Sequence, residues 1–209
     1  MSRRSGLVLA IGALLGIAVA GALIVSLAGG SSAAGSGRYR GSEPPKGIAL
    51  SDFSLRTYDG KRIGSSDLRS RVTVLTFLDS QCTESCPVIA WTVARTLDAL
   101  ARDERRDVRA VAISTDPTED TPTSVRTFLA TNRALGRLLY LGGGQPEGEL
   151  RRLWSEFKVL SSLESGQDTL HSAPVRIYDR SGEWVATLHA GADLTEESLT
   201  HDIRVALES

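Results

Sequence analysis

Cysteine is nearly absent from this chain. Two occur in 209 residues, Cys82 and Cys86, and they stand close together. So close a pair is no disulfide framework, and a soluble part of this size builds its core without one. A lone close pair belongs to redox chemistry, metal binding or a local staple. Aromatic residues are also few, at 5%, which argues against a platform for stacking bases. Neither sign of charge is in excess: 24 basic and 25 acidic residues give a net charge of -1, with the signs interspersed. Nothing in that balance points to nucleic acid. No internal repeat is visible.

Charge is missing altogether between Arg4 and Arg38. The apolar run inside that gap, from Leu7 to Gly29, is about 23 residues long, against the roughly 20 that cross a bilayer core. A cleavable signal has a shorter apolar core, about 7–15 residues, and Ser31-Ser32-Ala33 makes a weak cleavage site. The length therefore predicts a cytoplasmic tail over 1–6 and a single transmembrane anchor over 7–29. Arg3 and Arg4 favour an inside N-terminus, while Arg38, Arg40 and Lys46 oppose it. A thiol pair in an exported domain decides for N-in, C-out. Residues 30–46 are mostly Gly, Ser, Ala, Arg and Pro, a flexible tether spanning roughly 20–25 Å. The folded domain is expected over 47–209, on the extracytoplasmic side of the cell membrane.

Within that domain, Phe53-Ser54-Leu55-Arg56 alternates like a strand. Asp59-Gly60 turns it back through Lys61-Arg62-Ile63, so the domain opens on a hairpin. Val72 to Leu78 is apolar with little alternation, as in a central strand buried on both faces. Ile89, Val93, Leu97 and Leu100 recur at helical spacing after the cysteines. Val108 to Ile113 reads as a second central strand. Pro122 sits at the first position of the next helix. Leu138 to Leu141 is a short strand and Glu149 to Phe157 a helix. Val175 to Tyr178 and Trp184 to Leu188 form a hairpin around Ser181-Gly182. Leu199, Ile203 and Leu207 mark a closing amphipathic helix. Strands alternating with helices predict an α/β fold in three layers, a mixed sheet sandwiched between helices. The cysteines fall at the C-terminal end of a central strand, where open α/β sheets place their sites.

Pro87 cannot donate a hydrogen bond and fits the first position of a helix, which puts Cys86 at or just before the helix N-terminus. There the positive end of the helix favours thiolate over thiol. Thiolates are soft ligands suited to Cu(I) or Zn. A turn of this length also brings two Cα atoms within bridging range of a disulfide. Glu84 reads as a solvated charge. A metal site needs a third ligand, and the chain offers His171, His189 and His201. His201 lies off the apolar face of the closing helix and His189 ends a strand. His171, at the entry to a strand after a long polar loop, leads modestly. Staple, redox pair and metal site all remain open from the residues alone.

Taken together, Cys82-x-x-x-Cys86-Pro87 after a strand, Thr115-Asp116-Pro117 after the next, Asp120-Thr121-Pro122, and His171-Ser172 ahead of Asp179 resemble the Sco/SenC family. That family comprises membrane-anchored, thioredoxin-like copper proteins, and the resemblance covers about Gly47 to Ser209. It implies a thioredoxin-like fold and copper, as Cu(I) or Cu(II), held by Cys82, Cys86 and His171. It implies a metallochaperone rather than an enzyme, with the copper-bearing subunit of cytochrome c oxidase as partner and assembly of its binuclear copper centre as the task. Two positions depart from the family pattern. Asp79-Ser80-Gln81 replaces the usual aromatic and Thr residues, and Leu170 stands where an Asp often precedes the His. Such outer groups orient a ligating His. Pro174 is expected in the trans form. The competing expectation is an exported, membrane-tethered thiol-disulfide oxidoreductase in which Cys82 and Cys86 cycle. Three residues separate the thiols here, where thioredoxin-type enzymes more often use two.

Overall fold

Every residue of Val72–Leu78 (β3) is buried, as a mostly apolar run with little alternation predicts for the middle of a two-sided sheet. The protein is described here by a computed structural model covering residues 37–159 and 173–209. The expected tail, the anchor over 7–29, His171 and Leu170 lie outside the described residues. Among the described residues, no helix is long and apolar enough to cross a membrane.

The strands are β1 (Ser54–Arg56), β2 (Arg62–Gly64), β3, β4 (Val108–Ser114), β5 (Leu138–Leu141), β6 (Val175–Tyr178) and β7 (Trp184–Leu188). The helices are α1 (Ser85–Ala99), α2 (Arg102–Arg106), α3 (Pro122–Thr131), α4 (Glu147–Glu156) and α5 (Glu196–Leu207), with a 3-10 turn at Ser65–Leu68. The main sheet has the order β5-β4-β3-β6-β7. β3, β4 and β5 run parallel, and β6 and β7 run antiparallel to their neighbours. This mixed sheet between helices is the expected thioredoxin-like arrangement. β1 and β2 form the expected N-terminal hairpin, and Thr57 bridges it to Leu141 at the edge of β5.

Alternation along the strands divides the core in two. On one face Val74, Ala110, Ala112 and Ile177 meet Ile89, Val93, Val125, Phe128, Leu199 and Ile203 from α1, α3 and α5. On the other, Leu75, Phe77, Val111 and Ile113 meet Leu150, Leu153 and Trp154 of α4 and Phe53, Leu55 and Ile63 of the hairpin. The second layer is thus one helix plus a hairpin. In α5 the third apolar position, Leu207, is only half-buried, and Asp202 and Ala206 are buried instead.

Residues 37–46, ahead of Gly47, already belong to the compact domain. Composition predicted a tether here, but Tyr39 is buried and Ser42 bridges to Thr187 of β7. The fully buried carboxylate of Asp202 accepts the N–H of Arg40 at 2.7 Å and of Gly41 at 2.9 Å. Few apolar side chains were needed, because a buried acid on α5 captures the backbone directly.

Candidate metal centre

β3 delivers the chain to the site and stops at Asp79, which is 4% exposed. The Asp79 carbonyl accepts the N–H of Cys82 at 3.3 Å, and its Oδ1 accepts the N–H of Gln81 at 2.7 Å. These bonds curl the loop so that Cys82 sits below the start of α1. Helix α1 begins at Ser85, with exposed Glu84 in the capping position. Cys86 is therefore the second helical residue and Pro87 the third, not the first as expected. The shift is tolerated because no N–H in the first turn has a partner inside the helix, so proline forfeits nothing there.

The two cysteines are free and buried, and their sulfurs are hydrogen-bonded to each other. The Cys82 sulfur accepts the Cys86 thiol, which is the main reason its pKa falls to about 5; burial opposes this, and the N–H groups of Cys86 and Glu84 and the Ser85 hydroxyl add to it. Cys86 is pushed far upward because it donates its proton to Cys82 and because it is buried. The shared hydrogen bond therefore favours the thiolate form at Cys82 and the protonated form at Cys86. Burial also raises the Asp79 carboxyl to about 6, against the Gln81 N–H, with Asp120, Asp116 and Cys82 adding repulsion.

Behind the loop lies a polar cluster that sequence reasoning missed as part of the site. Asp120 is fully buried. Its Oδ1 accepts the N–H of Ser80 at 2.8 Å, and its Oδ2 accepts Ser114 Oγ at 2.6 Å. Tyr140 Oη lies 2.7 Å from the same Oδ2 and 2.8 Å from the Leu78 carbonyl. One phenolic proton serves only one acceptor. Burial raises the Asp120 pKa; when protonated, Asp120 donates to Tyr140 and Tyr140 donates to Leu78. The cluster ties the C-terminal ends of β3, β4 and β5 together under the cysteine loop. Its only sequence signal was Asp120 in the Asp-Thr-Pro motif; nothing marked Tyr140.

Of the residues expected to hold metal, the fold brings Cys82 and Cys86 together, and His171 lies outside the described residues. His189 is exposed after β7. The His201 Nδ1 pairs with Asp202 Oδ1 at 2.9 Å on α5. Among the described residues no three His, Cys, Asp or Glu side chains form a cluster able to hold a metal ion. The two adjacent sulfurs fit two positions of a soft-metal site and call for a third donor from elsewhere. A cavity of about 490 Å³ adjoins Cys82, lined also by Ser80, Gln81, Pro87, Ser124 and Phe128. The Ala173–Pro174 bond is trans, as expected.

The SCO1/SenC family model matches residues 42–208. A curated relative, the mitochondrial protein SCO1 homolog 1 of Arabidopsis thaliana, is 28% identical over 153 residues, covering 72% of this chain and 45% of its own length. The chain thus spans under half of that relative. Among solved structures, Bradyrhizobium japonicum ScoI with copper bound is similar with a TM-score of 0.63 at 24% identity, over 77% of this chain and 100% of that one. BsSco, described as a member of the Sco family of cytochrome c oxidase assembly proteins with a disulfide switch, gives a TM-score of 0.64 at 20% identity, over 79% and 96%. Both structures share this fold.

Proposed function

The chain belongs to the SCO1/SenC family, and from that premise we propose that it is a copper metallochaperone for assembly of the binuclear copper centre of cytochrome c oxidase. Cys82, Cys86 and His171 hold the ion, and the copper-bearing oxidase subunit receives it. Residues 7–29 anchor the chain in the cell membrane, N-terminus inside and domain outside, so that cargo is handled close to its destination. The observation that carries this reading is the buried pair of free cysteines brought together at the start of α1. Copper is cargo here, and a soft Cu(I) ion suits two sulfurs and an imidazole. The chain's residues supply a thiolate at Cys82 without a base, and Cys86 gives up the pair's single proton when the ion enters. Asp79 and the Asp120–Tyr140 cluster hold the loop in register with the helix.

The test loads the reduced chain with Cu(I) and measures stoichiometry and affinity against a competing chelator. One ion per chain is expected, with a loss of at least about tenfold in affinity for His171→Ala, the range seen when metal-site groups are removed. Tight binding unchanged in His171→Ala would sink the three-ligand site. A second reading, a thiol-disulfide oxidoreductase, is favoured by the same asymmetry. A low-pKa outer thiol and a protonated inner one suit attack and resolution in disulfide exchange. In cells, full function of His171→Ala together with loss in Cys82→Ser would decide for that reading.

A further inference from the structure

At the far end of β3 from the cysteines the surface changes character. β3 is a seven-residue strand, so the two ends stand roughly 20 Å apart at about 3.3 Å per residue. A cleft of about 700 Å³ opens there, around the N-terminal ends of the parallel strands. Its volume lies in the range of small-molecule sites, about 300–1,000 Å³. Lys61, Arg62, Arg71, Arg105, Arg109 and Arg137 line it, against two acids, Asp67 and Asp98. Six bases less two acids leave +4 in one cleft, on a chain whose net charge is -1. A solvated mixed-charge face, the ordinary fate of surface arginines, does not segregate sign in this way.

The cations are also arranged. Asp98 accepts Arg137 Nε at 2.7 Å and lies 3.8 Å from Arg105, so one carboxylate fixes two guanidinium groups. Arg62 is held by Ser54 Oγ at 3.1 Å and Arg109 by the Val108 carbonyl at 3.1 Å. Lys61, Arg62, Arg71 and Arg109 have no carboxylate within ion-pair distance among the described residues. Leu97, Leu135 and Leu139 form an apolar floor beneath them. A concave site with an excess of one sign of charge focuses its field, and guanidinium forks match carboxylate and phosphate oxygens in pairs.

We propose that this cleft binds a small multivalent anion, one bearing two or more phosphate or carboxylate groups. The guanidinium rim takes the charged groups and the leucine floor takes any apolar body between them. This site is separate from the copper reading and stands whether or not that reading holds.

The full chain in non-ionic detergent, free of copper and at low ionic strength, is titrated calorimetrically with pyrophosphate and, separately, with citrate. Saturable one-site binding of either anion is expected, and the stronger of the two says whether phosphate or carboxylate is preferred. Removing two rim charges in Arg62→Gln/Arg71→Gln should weaken it by at least about tenfold, with the melting temperature and Cu(I) stoichiometry of the wild type retained. Raising the salt should weaken it as well. Absence of saturable binding by both anions overturns the proposal, as does binding that the double variant leaves unchanged. A glutamate-rich peptide that binds while both small anions fail also overturns it, in favour of a protein partner.

Discussion

Replacing Asp202 with alanine tests where the domain starts. Asp202 sits on α5 with its side chain fully buried, and it receives the N–H groups of Arg40 and Gly41 from across more than 160 positions of sequence. Each hydrogen bond to a charged group contributes about 1.5–3 kcal/mol, so two set a ceiling near 3–6 kcal/mol. Release of the segment lets its amides bind water and regain backbone freedom, which returns part of that loss. The expected destabilisation of Asp202→Ala is therefore about 3 kcal/mol, or roughly 6–12 °C in melting temperature for a domain of this size. Asp202→Asn should lose nearly as much, because its NH₂ group faces a donor where a carboxylate oxygen faced one. Thermal melting gives the first number. Amide exchange gives the second: Arg40 and Gly41 should exchange rapidly in the variant while β3 stays protected. A loss under about 1 kcal/mol, or unchanged exchange at those two amides, would refute the claim that this carboxylate docks residues 37–42.

Cys82 should react with iodoacetamide along a pH profile whose inflection lies near 5, and Cys86→Ala should move it up toward the ordinary thiol value of 9.0, since the Cys86 thiol is the main cause of the shift. Asp79 titrates higher in the folded state than in the unfolded one, so the folded chain binds the extra proton between about 4 and 6. Stability from this group is complete below pH 4 and is lost as pH rises through 6. Asp79→Asn, which keeps an oxygen for the Gln81 N–H, should thus stabilise the protein at pH 7, by at most about 3 kcal/mol for a shift of some two units, and leave it unchanged below pH 4 in urea titrations. Tyr140→Phe removes the phenol from between Asp120 and the Leu78 carbonyl and should cost about 1–3 kcal/mol in denaturant unfolding, while leaving the sheet's circular dichroism intact.

The sheet was legible because its strands announce themselves locally. Val72–Leu78 and Val108–Ser114 are predominantly apolar and β-branched, and the hairpins carry Asp59-Gly60 and Ser181-Gly182 at their turns. The helix after the cysteines was legible from apolar spacing, but its first residue was not. A proline is compatible with any position of the first turn, and only the backbone places it third. The docked segment was illegible for another reason: Gly37–Ser42 is held by backbone N–H groups, which every residue but proline carries. Nothing local in the sequence marks Arg176 as more than a strand residue. Its guanidinium is in fact buried, 4.5 Å from the Trp184 ring and 5.5 Å from that of Phe157.

Two thiols four positions apart, behind a buried strand and ahead of a helix, are a short-range pattern, and the sequence by itself determined that they would share the C-terminal end of that strand. Family membership followed from the same short motifs. The charge state of the pair is another matter. Which sulfur holds the proton depends on burial and on which N–H groups reach which atom, and only the tertiary structure sets the directions that favour the thiolate at Cys82. The same holds for Asp120 with Tyr140, for Asp202 with Arg40, and for the six cations gathered around the far end of the sheet. Each joins residues far apart in the chain, and no local period or motif records a contact that exists only once the layers close.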